Sequence, residues 1–332
     1  MATTLSLGCW NYDRVAALLD GRVGVDGFDL RPTVMPPTEI FACAFTEAPF
    51  DISELSLSSY LMQTAAGDCD YVAIPAFLSR AFRHGGVYVN ANSGVTKPKD
   101  LEGRLVGVPE YQMTMAVWAR GILQDEYGVD FRKVRWRTGG LNTPGRKERL
   151  PLTLPAEMEV DPIGAGETLN GLLASGGLDA VVAPATPAAF AAGNGHIRRL
   201  IEDPAAAERA YFKKTGIFPV MHAVGIRRSL ADKHKGLAAG LYRAFVRAKR
   251  IAMDDLAATA DASANRLTLP WFAAEWEATR SLMGPDFWSY GVDANRTALE
   301  TLCRYSHEQH LSARRLRVEE LFHGDTLGLP AG

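Results

Sequence analysis

The chain has no excess of charge of either sign: 36 Lys and Arg stand against 38 Asp and Glu, for a formal net charge of −2. A near-neutral surface gives no field to hold nucleic acid or an anionic membrane, so an anionic partner has to be met by a local group of cations. Cysteine is scarce and dispersed. Cys9, Cys43, Cys69 and Cys303 have neither a zinc nor a redox spacing. No segment approaches the ~18 uninterrupted apolar residues of a membrane helix. At the N-terminus, MATTLSLGCWNYDR has no basic region, and its apolar stretch Leu5–Trp10 is shorter than the roughly 7–15 residues of a secretory signal core. These absences predict a cytosolic (cytoplasmic) protein with a small-molecule partner, acting on neither nucleic acid nor membrane. Self-association into a homo-oligomer stays open. No repeat period and no low-complexity tract is present, which sets solenoids and disordered linkers aside.

What is present is an alternation. With 332 residues, 47% of them apolar, the chain has material for two cores, at a prior of roughly 150 residues per domain. Short apolar runs alternate with amphipathic segments through the first two-thirds, as in strands feeding crossover helices of an α/β sheet. Leu5–Trp10, Phe28–Val34, Phe50–Leu55 and Tyr71–Phe77 are expected strands. Thr38–Thr46 and Ser58–Ala66 are expected helices. A second series follows Lys97–Gly103, with a strand Leu105–Val108, a helix Thr114–Tyr127 stopped by Gly128, a strand Val134–Arg137, a helix near Thr168–Ala174 and a strand Ala180–Ala183. After Thr215 one more strand, Val220–Ile226, precedes the helices Gly236–Leu256, Pro270–Met283 and Val292–Leu311. The expected organisation is lobe one from 1–100, lobe two from 101–215, and a return to lobe one with C-terminal helices from 216–332.

Several stretches carry chemistry. Ser79-Arg80-Ala81-Phe82-Arg83-His84 follows an apolar strand, where ligands of open α/β sheets sit, and its guanidinium forks match carboxylates. A solvated basic turn has the same composition. Asn11-Tyr12-Asp13-Arg14 follows the first strand and supplies amide, phenol and cation together, although surface loops often do so. Glu54, between Ile52, Leu55 and Leu57, suits a general base if burial raises its pKa; the alternative is a carboxylate that pairs with a nearby arginine and only orients it. Glu110-Tyr111-Gln112-Met113-Thr114 joins a strand to a helix whose free N–H groups suit a carboxylate, or else Thr114 merely caps that helix. The glycine-rich Gly139–Arg149 reads as a lid or rim loop. His222, alone in Phe218–Val224, is placed to move a proton near neutral pH or is a satisfied core histidine. His307 and His310 lack the HExxH spacing of a zinc protease, and no metal-ligating set is visible.

Taken together these stretches, with Thr215-Gly216-Ile217-Phe218-Pro219-Val220-Met221-His222, Leu282–Gly291 and Glu319-Glu320-Leu321-Phe322, resemble the 4,5-dihydroxyphthalate decarboxylase family from about residue 8 to 322. The resemblance implies an α/β, two-lobed type II periplasmic-binding-protein-like fold with a ligand cleft between lobes and a helical C-terminal region. It implies a carboxy-lyase releasing carbon dioxide from a hydroxylated aromatic acid. Such a route demands no organic cofactor; a divalent metal held by substrate oxygens fits it. Glu54 is then the expected base and His222 the acid, with His84 a third candidate for proton transfer. Arg80 and Arg83 are expected to clamp carboxylate, Asn11, Tyr12, Arg14 and His84 to complete the polar wall, and Tyr111, Gln112 and Thr114 to close from the second lobe. Two rivals remain at this point: a solute-binding protein for an aromatic or heteroaromatic carboxylate, without catalysis, and an enzyme of another reaction type, such as one making a pyrimidine precursor.

Overall fold

The computed structural model describes residues 2–193 and 195–331. It divides into two units. Unit 1 runs to Arg80 and adds Phe212–Glu300 and the stretch from Leu316 onward; unit 2 is Ala81–Tyr211 with Thr301–Arg315. The described residues form eleven strands: β1 (Thr3–Cys9), β2 (Phe28–Val34), β3 (Ile52–Ser56), β4 (Tyr71–Arg80), β5 (Val87–Asn90), β6 (Leu105–Val108), β7 (Arg135–Thr138), β8 (Val160–Pro162), β9 (Ala180–Val182), β10 (Ile197–Arg199) and β11 (Val220–Arg227). The α-helices are α1 (Asp13–Leu19), α2 (Pro37–Ala44), α3 (Leu57–Ala66), α4 (Thr114–Tyr127), α5 (Leu169–Ser175), α6 (Ala188–Ala191), α7 (Pro204–Thr215), α8 (Arg228–Lys233), α9 (Leu237–Ala260), α10 (Phe272–Met283) and α11 (Arg296–Glu308).

Unit 1 is built on the sheet β2-β1-β3-β11-β4. β1 runs parallel to β2 and β3, whereas β11 runs antiparallel to both β3 and β4. The carboxyl ends of β1, β3 and β4 therefore share one edge with the start of β11. In an open α/β sheet that edge is where ligands are met. β3 is buried along its whole length, as a strand covered on both faces must be. Pro32 and Pro75 lie on the outer strands β2 and β4, where a missing N–H leaves one side of the ladder intact. α9 buries Leu237, Leu241, Phe245 and Ala248 at spacings of four, four and three, one face of a helix, and packs on α1.

Unit 2 carries the sheet β10-β5-β9-β6-β7-β8. Its crossover helices include α4, which starts at Thr114, ends at Tyr127 and is closed by Gly128 in the left-handed conformation, φ 67°. The first boundary differs from the expected one. The chain leaves unit 1 at Arg80 rather than near residue 100, because β5 pairs with β9 and β10 of the second sheet. The C-terminal helices are not all returned to unit 1 either, since Thr301–Arg315 belongs to unit 2.

Candidate active site

Unit 1 brings three of the expected residues together, with Tyr12 and His222 on the carboxylate of Glu54. Glu54 projects from β3, wholly buried. Its Oε1 accepts from the Tyr12 hydroxyl at 2.7 Å and lies 2.7 Å from His222 Nδ1, and its Oε2 accepts from the Trp10 amide at 3.0 Å. The topology explains the meeting. Glu54 pairs with Val224 and Ser56 with His222 across β3 and β11, so Glu54 and His222 stand on one face of the sheet. Tyr12 arrives on the connection between β1 and α1. The pairing of β11 with β4 shifts register on both sides of His222, a local irregularity that re-aims a strand side chain and is frequent beside functional sites.

Burial alone would push the Glu54 carboxyl up, but the bonds to His222, Tyr12 and the Trp10 amide outweigh it and hold the group below its ordinary range. An ionised carboxylate so engaged is not a free base. This corrects the expectation for Glu54: its alternative role, orienting a partner, is the one the geometry supports, and the partners are His222 and Tyr12 rather than an arginine. With Nδ1 donating to Glu54, Nε2 is the ring nitrogen left to take up or give a proton. The ring packs edge-on against Phe41 at 4.7 Å between centroids and keeps 17% of its side-chain surface exposed. Tyr12 is held as a phenol, its pKa raised by burial and by the Glu54 charge. The buried Cys9 thiol is pushed up to about 12 by burial and by Glu54, which removes a thiolate nucleophile from this site.

Arg14 supplies the cation next to this group. Its guanidinium lies 4.3 Å from the Tyr12 ring centroid and 4.1 Å from that of Trp288, with Nε donating to Leu78 O at 2.8 Å and Nη1 to Asp13. Asn11 is exposed on the same connection. Trp288 was legible only as part of the resembling segment Leu282–Gly291.

Arg80 departs from the expected clamp. It is 7% exposed, and its guanidinium donates to Phe218 O at 3.1 Å, to Ser289 O at 2.7 Å and to Asn295 Oδ1. Those bonds fasten the end of β4 to the approach to β11 and to the segment after α10, so Arg80 is a brace. Arg80→Ala is accordingly expected to cost about 1–3 kcal/mol of unfolding free energy, the penalty for leaving buried acceptors unpaired. Urea unfolding checks it; a stable variant with only a raised KM would restore the clamp.

The remaining candidates belong to unit 2. His84 is 3% exposed, with its ring 5.2 Å from that of Tyr211 and 6.5 Å from that of Tyr127. Burial lowers its pKa to about 4, so it is a neutral core histidine at ordinary pH, not a proton donor. Tyr111 is fully buried under the Arg120 guanidinium, 3.7 Å from its ring centroid, and Gln112 and Thr114 are buried as well. The amides before α4 are already engaged by the chain itself. Glu148 accepts from Tyr111 N at 2.5 Å, from Gln112 N at 3.4 Å and from Gln112 Nε2 at 3.3 Å, while Glu110 accepts from Arg146 at 2.5 Å and Arg149 at 3.2 Å. The glycine-rich loop is thus latched by ion pairs, and Glu148 takes up the Tyr111 and Gln112 amides that precede the helix. Nothing in the residue pattern singled out Glu148. Arg83 lines a hollow of unit 2 together with Arg199 and Glu208. Among the described residues no group of three or more His, Cys, Asp or Glu side chains is arranged to hold a metal, and no helix is long and apolar enough to cross a membrane.

Comparison with known proteins bears on this geometry. No family model matches the chain. It is 42% identical over 323 residues to a 4,5-dihydroxyphthalate decarboxylase of Comamonas testosteroni, covering 97% of both chains. It is 44% identical over 209 residues to a 4,5-dihydroxyphthalate decarboxylase of Pseudomonas putida, covering 63% of this chain and 81% of that one. Among solved structures, the periplasmic aliphatic sulphonate binding protein SsuA of Escherichia coli is similar in fold (TM-score 0.54, 12% identity, 99% of this chain and 100% of that one). So is a putative sulfonate-binding SsuA of Methylobacillus flagellatus (TM-score 0.55, 12% identity, 97% and 92%). Those likenesses establish the periplasmic-binding-protein architecture and nothing about ligand.

Proposed function

Because the chain belongs to the 4,5-dihydroxyphthalate decarboxylase family, we propose that it converts 4,5-dihydroxyphthalate to protocatechuate and carbon dioxide, with His222 as the group that moves the proton. The observation that carries this is the Glu54 carboxylate gripping His222 Nδ1 and the Tyr12 hydroxyl at 2.7 Å each. In the substrate each carboxylate stands para to a phenolic oxygen. Electron release from that oxygen raises the electron density at the carbon bearing the carboxylate, which then accepts a proton. The imidazolium of His222 delivers it from Nε2. The carbon–carbon bond to the carboxylate breaks, its electron pair returns to the ring, aromaticity is restored and carbon dioxide leaves. One proton is consumed for each carbon dioxide released, and no free aryl carbanion forms. Glu54 stabilises the imidazolium and fixes its orientation, Tyr12 stays protonated as a donor, and Arg14 adds positive charge beside them.

The purified protein is expected to release one carbon dioxide per 4,5-dihydroxyphthalate consumed. Phthalate without the hydroxyls should bind yet stay intact, since it lacks the para electron release. The sulphonate-binding architecture favours one competing reading, reversible binding of an aromatic acid. Recovery of unchanged 4,5-dihydroxyphthalate after prolonged incubation would establish that reading and overturn this one.

A further inference from the structure

The hollow in unit 2 that contains Arg83 has a volume of ≈ 430 Å³, ample for a single aromatic ring, and its lining includes Phe82, Tyr88, Thr186, Arg199 and Glu208. Its two guanidiniums come from separate segments and are brought together by register. Arg83 stands in the turn after β4, and Arg199 ends β10, where it pairs with Tyr88 at the start of β5. Two glycines let that turn close on its walls. A Cβ at Gly86 would come within 2.9 Å of Ala183 O, and one at Gly85 within 3.2 Å of Pro204 Cβ.

Both arginines keep a buried Nε without a hydrogen-bond partner. Glu208 is the carboxylate among the lining residues, so two cations face one anion. A guanidinium edge is matched by a carboxylate, and two cations against one anion leave a net positive charge for it to meet. Phe82 and Tyr88 offer flat apolar surface for a ring, and Phe190 supports the Arg199 guanidinium at 5.3 Å.

We propose that the Arg83–Arg199 hollow of unit 2 is a binding site for an aromatic carboxylate.

Calorimetric titration tests this with protocatechuate, which carries one carboxylate on a hydroxylated ring, with catechol, which carries none, and with inorganic phosphate. Protocatechuate is expected to bind the wild type and to weaken roughly 10–100-fold in Arg199→Ala, the effect of losing a charged hydrogen bond. Catechol should bind both equally weakly, and phosphate should bind neither as well as protocatechuate. Arg199→Lys keeps charge and bulk but not the fork; it should fall between the two, and serves as the test if the alanine variant does not fold. Unchanged protocatechuate affinity in a folded Arg199 variant, or phosphate binding as tightly as protocatechuate, would overturn the proposal. Turnover with Arg199-independent binding removes this site alone; Arg199-dependent binding without turnover removes the decarboxylase reading instead.

Discussion

His222→Ala is expected to reduce kcat on 4,5-dihydroxyphthalate by about 10²–10⁴-fold, the usual contribution of a positioned acid–base group, while the protein stays folded. The side chain is partly exposed and its principal bond is to Glu54, so removing it leaves the β11 ladder untouched. Two readouts separate catalysis from support. The KM should change far less than kcat, because the imidazole is engaged mainly as charge develops in the transition state. His222→Gln, which retains a donor to Glu54 but cannot deliver a proton, should be as inactive as the alanine variant and more stable than it. Full activity in His222→Gln would move the proton transfer to another residue.

Glu54→Gln should also lower kcat by about 10²–10⁴-fold, since a neutral amide neither fixes the Nδ1–H tautomer nor stabilises the imidazolium, the two services a buried carboxylate renders to a catalytic histidine. This substitution carries a pH signature as well. Because the folded state holds the Glu54 carboxyl below its ordinary range, the folded protein binds fewer protons at this group than the unfolded chain does. Its stabilisation is complete above the ordinary carboxylate range and is lost as the pH falls through that range toward the lowered folded value. Denaturant unfolding across acidic pH should therefore show the wild-type advantage over Glu54→Gln shrinking as the medium is acidified. An advantage that stays constant or grows on acidification would mean that Glu54 is protonated in the native protein, returning it to the role of an elevated-pKa base.

The difference between the expected and observed roles of Glu54 has a physical origin. A carboxylate between Ile52, Leu55 and Leu57 reads locally as a desolvated acid, because those neighbours are all the sequence shows. Which donors reach it is settled by pairs far apart in the chain: Tyr12 by the turn after β1, and His222 by the antiparallel pairing of β3 with β11. Arg80 was misread for the same reason. Its neighbours Arg83 and His84 suggest a basic cluster, but the backbone carbonyls that claim its guanidinium, at Phe218 and Ser289, come from segments more than a hundred residues on.

Residue pattern alone determined the α/β class, the bounds of β2, β6 and α4, and the family, because alternation, caps and contiguous motifs are local properties written along the chain. Short strands with little apolar signal, such as β8 and β10, and the helix α1 hidden in the Asn11–Arg14 motif, escaped it. Only the tertiary structure decided which charges are spent. Hydrogen-bond satisfaction depends on strand order and register, so it alone separated Arg80 the brace from Arg14 beside Tyr12, His84 in the core from His222 on Glu54, and brought the unremarked Arg199 to Arg83.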